Sequence, residues 1–149
     1  MNKLKRKIDV FNVLSKKSEI SVEAIRKSYS HHKKQLREAE NTLLSSTLEL
    51  NTCSEKISEG SLEEIDVDAI KRLNEYCLKL SRLVNRKTQN LSDVQQRVRE
   101  TKVQLDKELL KGKAFSKVIE NVSSDYTQCV QKNFDKNVED IWLSRRNTQ

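Results

Sequence analysis

A repeat of apolar residues between positions 70 and 129 constrains this chain more than any other feature. The repeat alternates steps of three and four: Ile70, Leu73, Cys77, Leu80, Val84, Lys87, Leu91, Val94, Val98, Thr101, Leu105, Glu108, Gly112, Phe115, Ile119, Val122, Tyr126 and Cys129. Only Lys87, Thr101, Glu108 and Gly112 interrupt its apolar character. An average step of about 3.5 residues keeps one stripe of a helix facing a partner helix, so the pattern predicts a coiled-coil seam.

A second repeat of the same kind runs from Leu4 to Ile57 and predicts a helix about 80 Å long. One seam position carries Leu4, Phe11, Ser18, Ile25, His32, Ala39, Ser46 and Cys53. The other carries Ile8, Ser15, Val22, Tyr29, Leu36, Leu43, Leu50 and Ile57. Two seams separated by a short break favour two antiparallel helices that pack against each other.

The break between the repeats lies at residues 58–61, Ser-Glu-Gly-Ser. Gly60 suits a left-handed residue just past a helix end, and Ser61 followed by Glu64 is typical of a capping box. Asp66 and Asp68 offer alternative starts for the second helix. We therefore predict an all-α fold, an antiparallel coiled-coil hairpin with helix 1 at about 3–58, a turn at about 59–66 and helix 2 at about 67–145.

The register of this hairpin follows from placing Ile57 opposite Ile70. Paired positions are then Cys53 with Leu73 and Cys77, and Ser15 and Ser18 with Glu108 and Gly112. The weak positions of the two seams coincide in the second set. We interpret this set as a loose segment near the termini, where the helices can separate or bend.

In this register helix 2 extends past helix 1, because the N-terminus of helix 1 lies level with about Tyr126. Beyond that point the apolar residues step mostly by four: Tyr126, Val130, Phe134, Val138, Ile141 and Trp142. Such steps turn the stripe away from the seam. We expect roughly the last 20 residues to project past the hairpin with an exposed apolar face, and such faces usually bind a partner.

The composition favours long helices. The 149 residues include no proline, two glycines and 34% charged residues, and only 35% are hydrophobic. This balance predicts one structural unit with apolar stripes instead of a multilayer core. No apolar run approaches the roughly 18 residues of a membrane span, and none follows the basic residues 3–7, so we expect neither membrane insertion nor a signal peptide.

Few residues offer chemistry. His31 and His32 are neighbours and cannot both face one metal on a helix. Cys53 and Cys77 fall within disulfide range if oxidised, but we predict two reduced core cysteines in a cytosolic protein. The sequence has no Cys-x-x-Cys, glycine-rich phosphate loop or Gly-x-Ser-x-Gly, so we expect no enzyme activity, no cofactor and no metal.

The net charge of +7 is distributed unevenly. Residues 1–17 and 97–117 are basic, and residues 49–68 are acidic, which favours a different electrostatic partner for each end of the hairpin. Basic patches also suggest nucleic acid, but here acids are interspersed and accessible aromatics are few, which is typical of a solvated face. Membrane-surface binding is disfavoured because the basic faces are shared with seam residues.

The layout resembles the FliJ and YscO type of central-stalk proteins in flagellar and virulence type III secretion systems. The resemblance covers nearly the whole chain. It is carried by the opening Lys3-Leu4-Lys5-Arg6-Lys7-Ile8 and by residues 111–120, Lys-Gly-Lys-Ala-Phe-Ser-Lys-Val-Ile-Glu, followed by Tyr126 and a polar helical tail. The chain departs from the family in being rich in serine and asparagine and in having a less acidic tail.

This resemblance implies a non-enzymatic stalk in the pore of a hexameric secretion ATPase, in the bacterial cytoplasm at the secretion apparatus. Such a stalk promotes assembly or turnover of the hexamer and links it to the export gate, and some members handle export chaperones. The residues it assigns to the ATPase end are Lys5, Arg6, Lys7, Lys111, Lys113, Phe134, Ile141 and Trp142. Tyr76 and Leu83, seven residues apart and off the seam, form a second expected contact near the tip.

Other functions remain open. A generic coiled-coil scaffold or export-chaperone escort would bind partners through the exposed C-terminal helix face. A nucleic-acid binder would show an affinity that falls steeply with added salt. The sequence also leaves open a domain-swapped pair of chains in place of a hairpin.

Overall fold

The computed structural model describes residues 1–60 and 66–147. Over these ranges the protein is all-α: α1 is Asn2–Gly60, with 59 residues, and α2 is Val67–Arg146, with 80 residues. The two helices pack against each other, so the predicted helical hairpin with a longer second helix is confirmed. The predicted capping box of Ser61 and Glu64 lies outside the described residues.

The start of α2 uses Asp66, one of the two predicted starts. The Asp66 backbone oxygen accepts hydrogen bonds from the N–H groups of Ala69 at 3.0 Å and Ile70 at 3.2 Å. Its carboxylate accepts a third, from the N–H of Asp68 at 3.2 Å. These bonds satisfy backbone donors that a helix N-terminus otherwise leaves unpaired.

The prediction that Gly60 adopts a left-handed backbone just past the helix end is wrong. Gly60 is the last residue of the helix, and no described residue has a positive φ. Glycine also adopts the right-handed helical backbone, at a cost of about 1 kcal/mol relative to alanine. The helix therefore continues through Gly60 instead of ending before it.

The chain divides into two compact units. The terminal unit contains Met1–Ile25 and Gln104–Gln149, and the turn unit contains Arg26–Val103. In the turn unit six buried residues occupy predicted seam positions: Ala39, Ser46, Cys53, Leu80, Val94 and Thr101. The Thr101 hydroxyl donates to the Arg97 carbonyl at 2.7 Å, so this buried polar group is satisfied within its own helix.

The terminal unit buries Ser18 and Val22 between its two helical segments. The rings of Phe11 and Phe115 lie 6.2 Å apart, within the range of favourable aromatic pairs. A β-carbon placed on Gly112 would lie 3.6 Å from Ser18 Oγ, as the predicted register requires. Ser18 Oγ is buried without a hydrogen-bond partner, which makes this layer a weak point of the packing.

Gly112→Ala is expected to stabilise the protein by about 0.5–1 kcal/mol and to raise Tm by about 2–4 °C. The added methyl would make ordinary contact with Ser18, and alanine loses less backbone entropy than glycine in a helix. Melting followed by circular dichroism measures the effect. Gly112→Val is the control, because its branched side chain exceeds this space and should lower Tm. A lower Tm for the alanine variant would contradict the packing described.

Candidate functional site

The terminal unit places the start of α1 beside the last quarter of α2. The Asn133 side-chain amide lies 3.9 Å from Met1 Sδ, and Met1 shares a shallow groove with Val130, Phe134 and Asn137. The first residue of the chain therefore lies level with Asn133, about one heptad beyond the predicted Tyr126. Met1 precedes α1, and its long side chain reaches further along α2 than the seam register indicated.

Beyond this level α2 has no helix beside it in the terminal unit. Every residue from Val130 to Asn147 is exposed, which confirms the expected overhang. We define the C-terminal stripe as Val130, Phe134, Val138, Ile141 and Trp142, whose exposed fractions range from 40% to 73%. At about 100° per residue these five side chains cover an arc of about 120° on one side of the helix.

The basic residues Lys5, Arg6 and Lys7 are exposed on the first two turns of α1. They lie within about 10 Å, along the helix axis, of the level where the C-terminal stripe begins to extend past Met1. Phe134 is level with this region, whereas Ile141 and Trp142 lie about 10–14 Å further out on α2. These six predicted residues thus belong to one end of the terminal unit.

The other two basic residues assigned to the ATPase end lie elsewhere in the same unit. Lys111 and Lys113 flank Gly112, which faces Ser18, about 18 Å along α1 from Arg6. Lys111 Nζ pairs with the Glu108 carboxylate at 3.0 Å. An exposed pair of this kind contributes little stability. The eight predicted residues therefore form two groups and not one surface.

The predicted tip residues Tyr76 and Leu83 are partly exposed in the turn unit. The Tyr76 hydroxyl donates a hydrogen bond of 2.5 Å to the Glu49 carboxylate across the two helices. This bond, with smaller contributions from desolvation and from the Glu49 charge, raises the pKa of Tyr76. This pair was not predicted from the sequence, although both residues occupy the same flank position of antiparallel heptads, where side chains from two helices meet.

Tyr76→Phe is expected to cause a small loss of stability that disappears at high pH. The folded-state pKa of Tyr76 is raised, so the hydrogen bond contributes stability below the unfolded pKa of about 10 and loses it as pH rises through the folded value. The measurement is the Tm difference between native protein and variant from pH 8 to 11. A difference that grows with pH would contradict this assignment.

Lys87, an interruption in the α2 seam, has a specific partner in the turn unit. Its ammonium donates to Ser46 Oγ at 2.6 Å and lies 3.4 Å from the Thr42 carbonyl oxygen. Ser46 is the most buried polar residue in the described part of the chain, so the ammonium satisfies a group that would otherwise be costly to bury. A buried polar pair in a seam favours one register over its alternatives.

Cys53 and Cys77 form a disulfide across the helices of the turn unit. The prediction that they are reduced is wrong in this structure, although the predicted proximity is correct. Their seam positions bring the Cα atoms to 6.1 Å, inside the usual range for a disulfide. Cys53 Sγ also lies 3.8 Å from the Leu73 carbonyl oxygen, as the register predicted. Cys129 is a free thiol.

Within residues 1–60 and 66–147, no group of three or more His, Cys, Asp or Glu could hold a metal ion. In that same part of the chain, no helix has a stretch long and apolar enough to cross a membrane. The C-terminal stripe and the neighbouring basic turns of α1 are the exposed apolar and basic features of this end of the terminal unit.

These features define a helical hairpin whose second helix carries an unpartnered amphipathic segment. No protein-family model matches the sequence, and no characterised protein or solved structure is significantly similar to it. The relationship to the FliJ and YscO type of stalk protein therefore remains a hypothesis that rests on the layout of the chain.

Proposed function

We propose that this protein is a non-enzymatic central stalk of a type III secretion ATPase. In this proposal the end of the terminal unit enters the pore of the hexamer, promotes its assembly or turnover and couples it to the export gate. The observation that carries the proposal is the C-terminal stripe, which leaves Phe134, Ile141 and Trp142 at least half exposed beyond the start of α1.

The energetics of exposure support a partner at this end. Fully burying a large apolar side chain contributes about 1.5–3 kcal/mol, and interface energy is concentrated in a few aromatic and arginine residues. Lys5, Arg6 and Lys7, exposed on the first turns of α1, add positive charge to this end of the terminal unit. The matching partner surface has an apolar centre and an acidic rim, which would also accelerate association.

The proposed compartment is the bacterial cytoplasm, with the protein peripheral at the secretion apparatus. The Cys53–Cys77 disulfide stands against this compartment, because cytosolic thiols are normally kept reduced. A count of free thiols in protein extracted with an alkylating quench tests the point. Three alkylated cysteines would agree with a cytosolic protein, and one would place the protein in an oxidising compartment.

The direct experiment mixes the purified protein with candidate hexameric secretion ATPases from the same operon. ATP hydrolysis and assembled mass are followed together. An increase in both is the expected result, and no change in either would overturn the stalk proposal.

Charge reversal tests which end engages the ATPase. Lys5→Glu/Arg6→Glu/Lys7→Glu is expected to raise the concentration needed for half-maximal stimulation at least tenfold at low salt, since complementary charges steer association. The matched control, Lys79→Glu/Arg82→Glu/Arg86→Glu, makes the same charge change on exposed positions of the turn unit. Equal losses for both variants would indicate a nonspecific effect of net charge and contradict an ATPase site at this end.

A second candidate, a coiled-coil scaffold or chaperone escort, is favoured by the same C-terminal stripe. It predicts that deletion of residues 130–149 abolishes partner binding while the remaining hairpin stays folded. The two functions differ in one readout, because a scaffold binds its partner without changing ATP turnover. A truncated protein that binds normally would exclude the scaffold.

A further inference from the structure

The overhang of α2 has a spacing that reads the same in both directions. Phe134, Val138, Ile141 and Arg145 follow one another in steps of four, three and four. At about 100° per residue these four positions lie within about 60° of each other on the helix surface. The segment from 134 to 146 is about 20 Å long; it begins beside Met1 and extends past it.

A palindromic step pattern suits pairing with an antiparallel copy of itself. When two copies run in opposite directions, Val138 of one lies beside Ile141 of the other, and Phe134 lies beside Arg145. The two-fold axis repeats both layers, so Phe134, Val138, Ile141 and Arg145 are all matched in a single alignment. Coiled-coil packing requires such layer-by-layer matching, and an isologous contact of this kind closes as a dimer.

We propose that the protein forms a two-fold, antiparallel dimer through the 134–146 segment, and that this dimer covers the surface assigned to the ATPase. The charges agree with a second copy as the occupant. Asp135 borders the stripe and would lie next to Arg145 of the second copy, twice per dimer, while the Arg145 guanidinium would also stack on the Phe134 ring. The mostly charged opposite face of the segment stays in water.

The size of the contact sets its strength. Phe134, Val138 and Ile141, with Trp142 at the edge of the contact, would bury roughly 500 Å² per copy, or about 1,000 Å² in total, at the low end of specific interfaces. A dissociation constant of about 10–100 μM is therefore expected. Such a dimer yields to a tighter partner, so that the ATPase and the second copy compete for one stripe. Only this competition rests on the proposed function.

The first test is sedimentation equilibrium of the isolated full chain from 1 to 500 μM, with Cys129→Ser as background to exclude intermolecular disulfides. The mass is expected to rise from 17.4 kDa toward twice that value. Val138→Glu places a charge in an apolar layer twice per dimer and should weaken association at least tenfold. Leu143→Glu, an equal change on the same exposed segment but about 140° around the helix from Val138, should leave it intact.

The second test uses Trp142, the single tryptophan of the chain, which is 73% exposed in the monomer. Its emission is expected to shift to shorter wavelength, and its quenching by acrylamide to fall, over the same concentration range as the mass change. The Val138→Glu variant should retain the exposed spectrum. Because both substituted positions are exposed, circular dichroism of both variants should match the native protein.

Either of two results would overturn the dimer: a single mass of one chain up to 500 μM, or equal association by the Val138→Glu and Leu143→Glu variants. The test contains no ATPase, so its outcome is separate from the stalk proposal. A monomeric protein that stimulates the ATPase would overturn the dimer alone. A dimer that leaves every candidate ATPase unchanged would overturn the stalk alone.

Discussion

Replacement of Phe134, Ile141 and Trp142 by serine is expected to abolish stimulation of the partner ATPase while both helices remain folded. These side chains are 62%, 54% and 73% exposed, so their loss removes little packing from the hairpin. Exposed substitutions of this kind usually change stability by less than about 0.5 kcal/mol each. Loss of three apolar anchors from an interface costs at least about 3 kcal/mol, which is a decrease in affinity of more than 100-fold.

The matched control for this variant lies in the same unit. Val10, Val13 and Ile20 are 57%, 54% and 71% exposed on α1, and serine at all three also removes exposed apolar side chains, although smaller ones. This control should stimulate the ATPase as the native protein does. Full stimulation by the Phe134/Ile141/Trp142 variant would contradict the assigned surface. The scaffold would be favoured if the variant lost binding and the native protein bound its partner without changing ATP turnover.

Reduction of the Cys53–Cys77 disulfide, or Cys53→Ser/Cys77→Ser, is expected to destabilise the turn unit by about 3 kcal/mol. The bond closes a loop with a sequence separation of 24 residues, and a cross-link over such a loop lowers the conformational entropy of the unfolded chain. For a chain of this length the loss corresponds to a decrease in Tm of about 10 °C. Melting with and without reductant measures it, together with limited proteolysis near the turn.

Cys129→Ser provides the control for the disulfide, since Cys129 is a free thiol in the terminal unit. Its melting temperature should fall with reductant as the native protein's does. Thiol titration of the native protein, denatured but not reduced, should find one free cysteine. Three free cysteines together with a Tm that reductant does not change would show that the turn unit folds without the bond.

The residues that the sequence predicted well are those fixed by periodicity. A step of about 3.5 residues marks which positions face a partner helix, and Ala39, Ser46, Cys53, Leu80, Val94 and Thr101 are indeed buried. Aligning the two seams at Ile57 and Ile70 then placed Ser18 opposite Gly112 and Cys53 near Cys77. The exposure of Phe134 and Trp142 followed from the same pattern, since the step changes to four near the level on α2 where the N-terminus of α1 lies.

The residues that it predicted poorly depend on side-chain reach and on chemistry that periodicity does not encode. Lys87 counted as an interruption, yet its long side chain reaches Ser46 and satisfies a buried hydroxyl. The partnership of Tyr76 with Glu49 requires two flank positions to be level across the hairpin, and the level is fixed only when the helices pack. The oxidation state of Cys53 and Cys77 follows from their Cα separation and from the compartment, not from their spacing in the chain.

The sequence by itself determined that this protein is two long helices joined by a short break, because a sustained apolar period and the near absence of glycine and proline leave few other folds. It also determined which faces are apolar. The tertiary structure alone decided where the N-terminus of α1 lies along α2. It therefore decided that Phe134 lies beside Met1 while Ile141 and Trp142 lie beyond it. The reason is physical: a heptad seam specifies a helix face, whereas the length left unpartnered depends on how two helices of 59 and 80 residues are finally aligned.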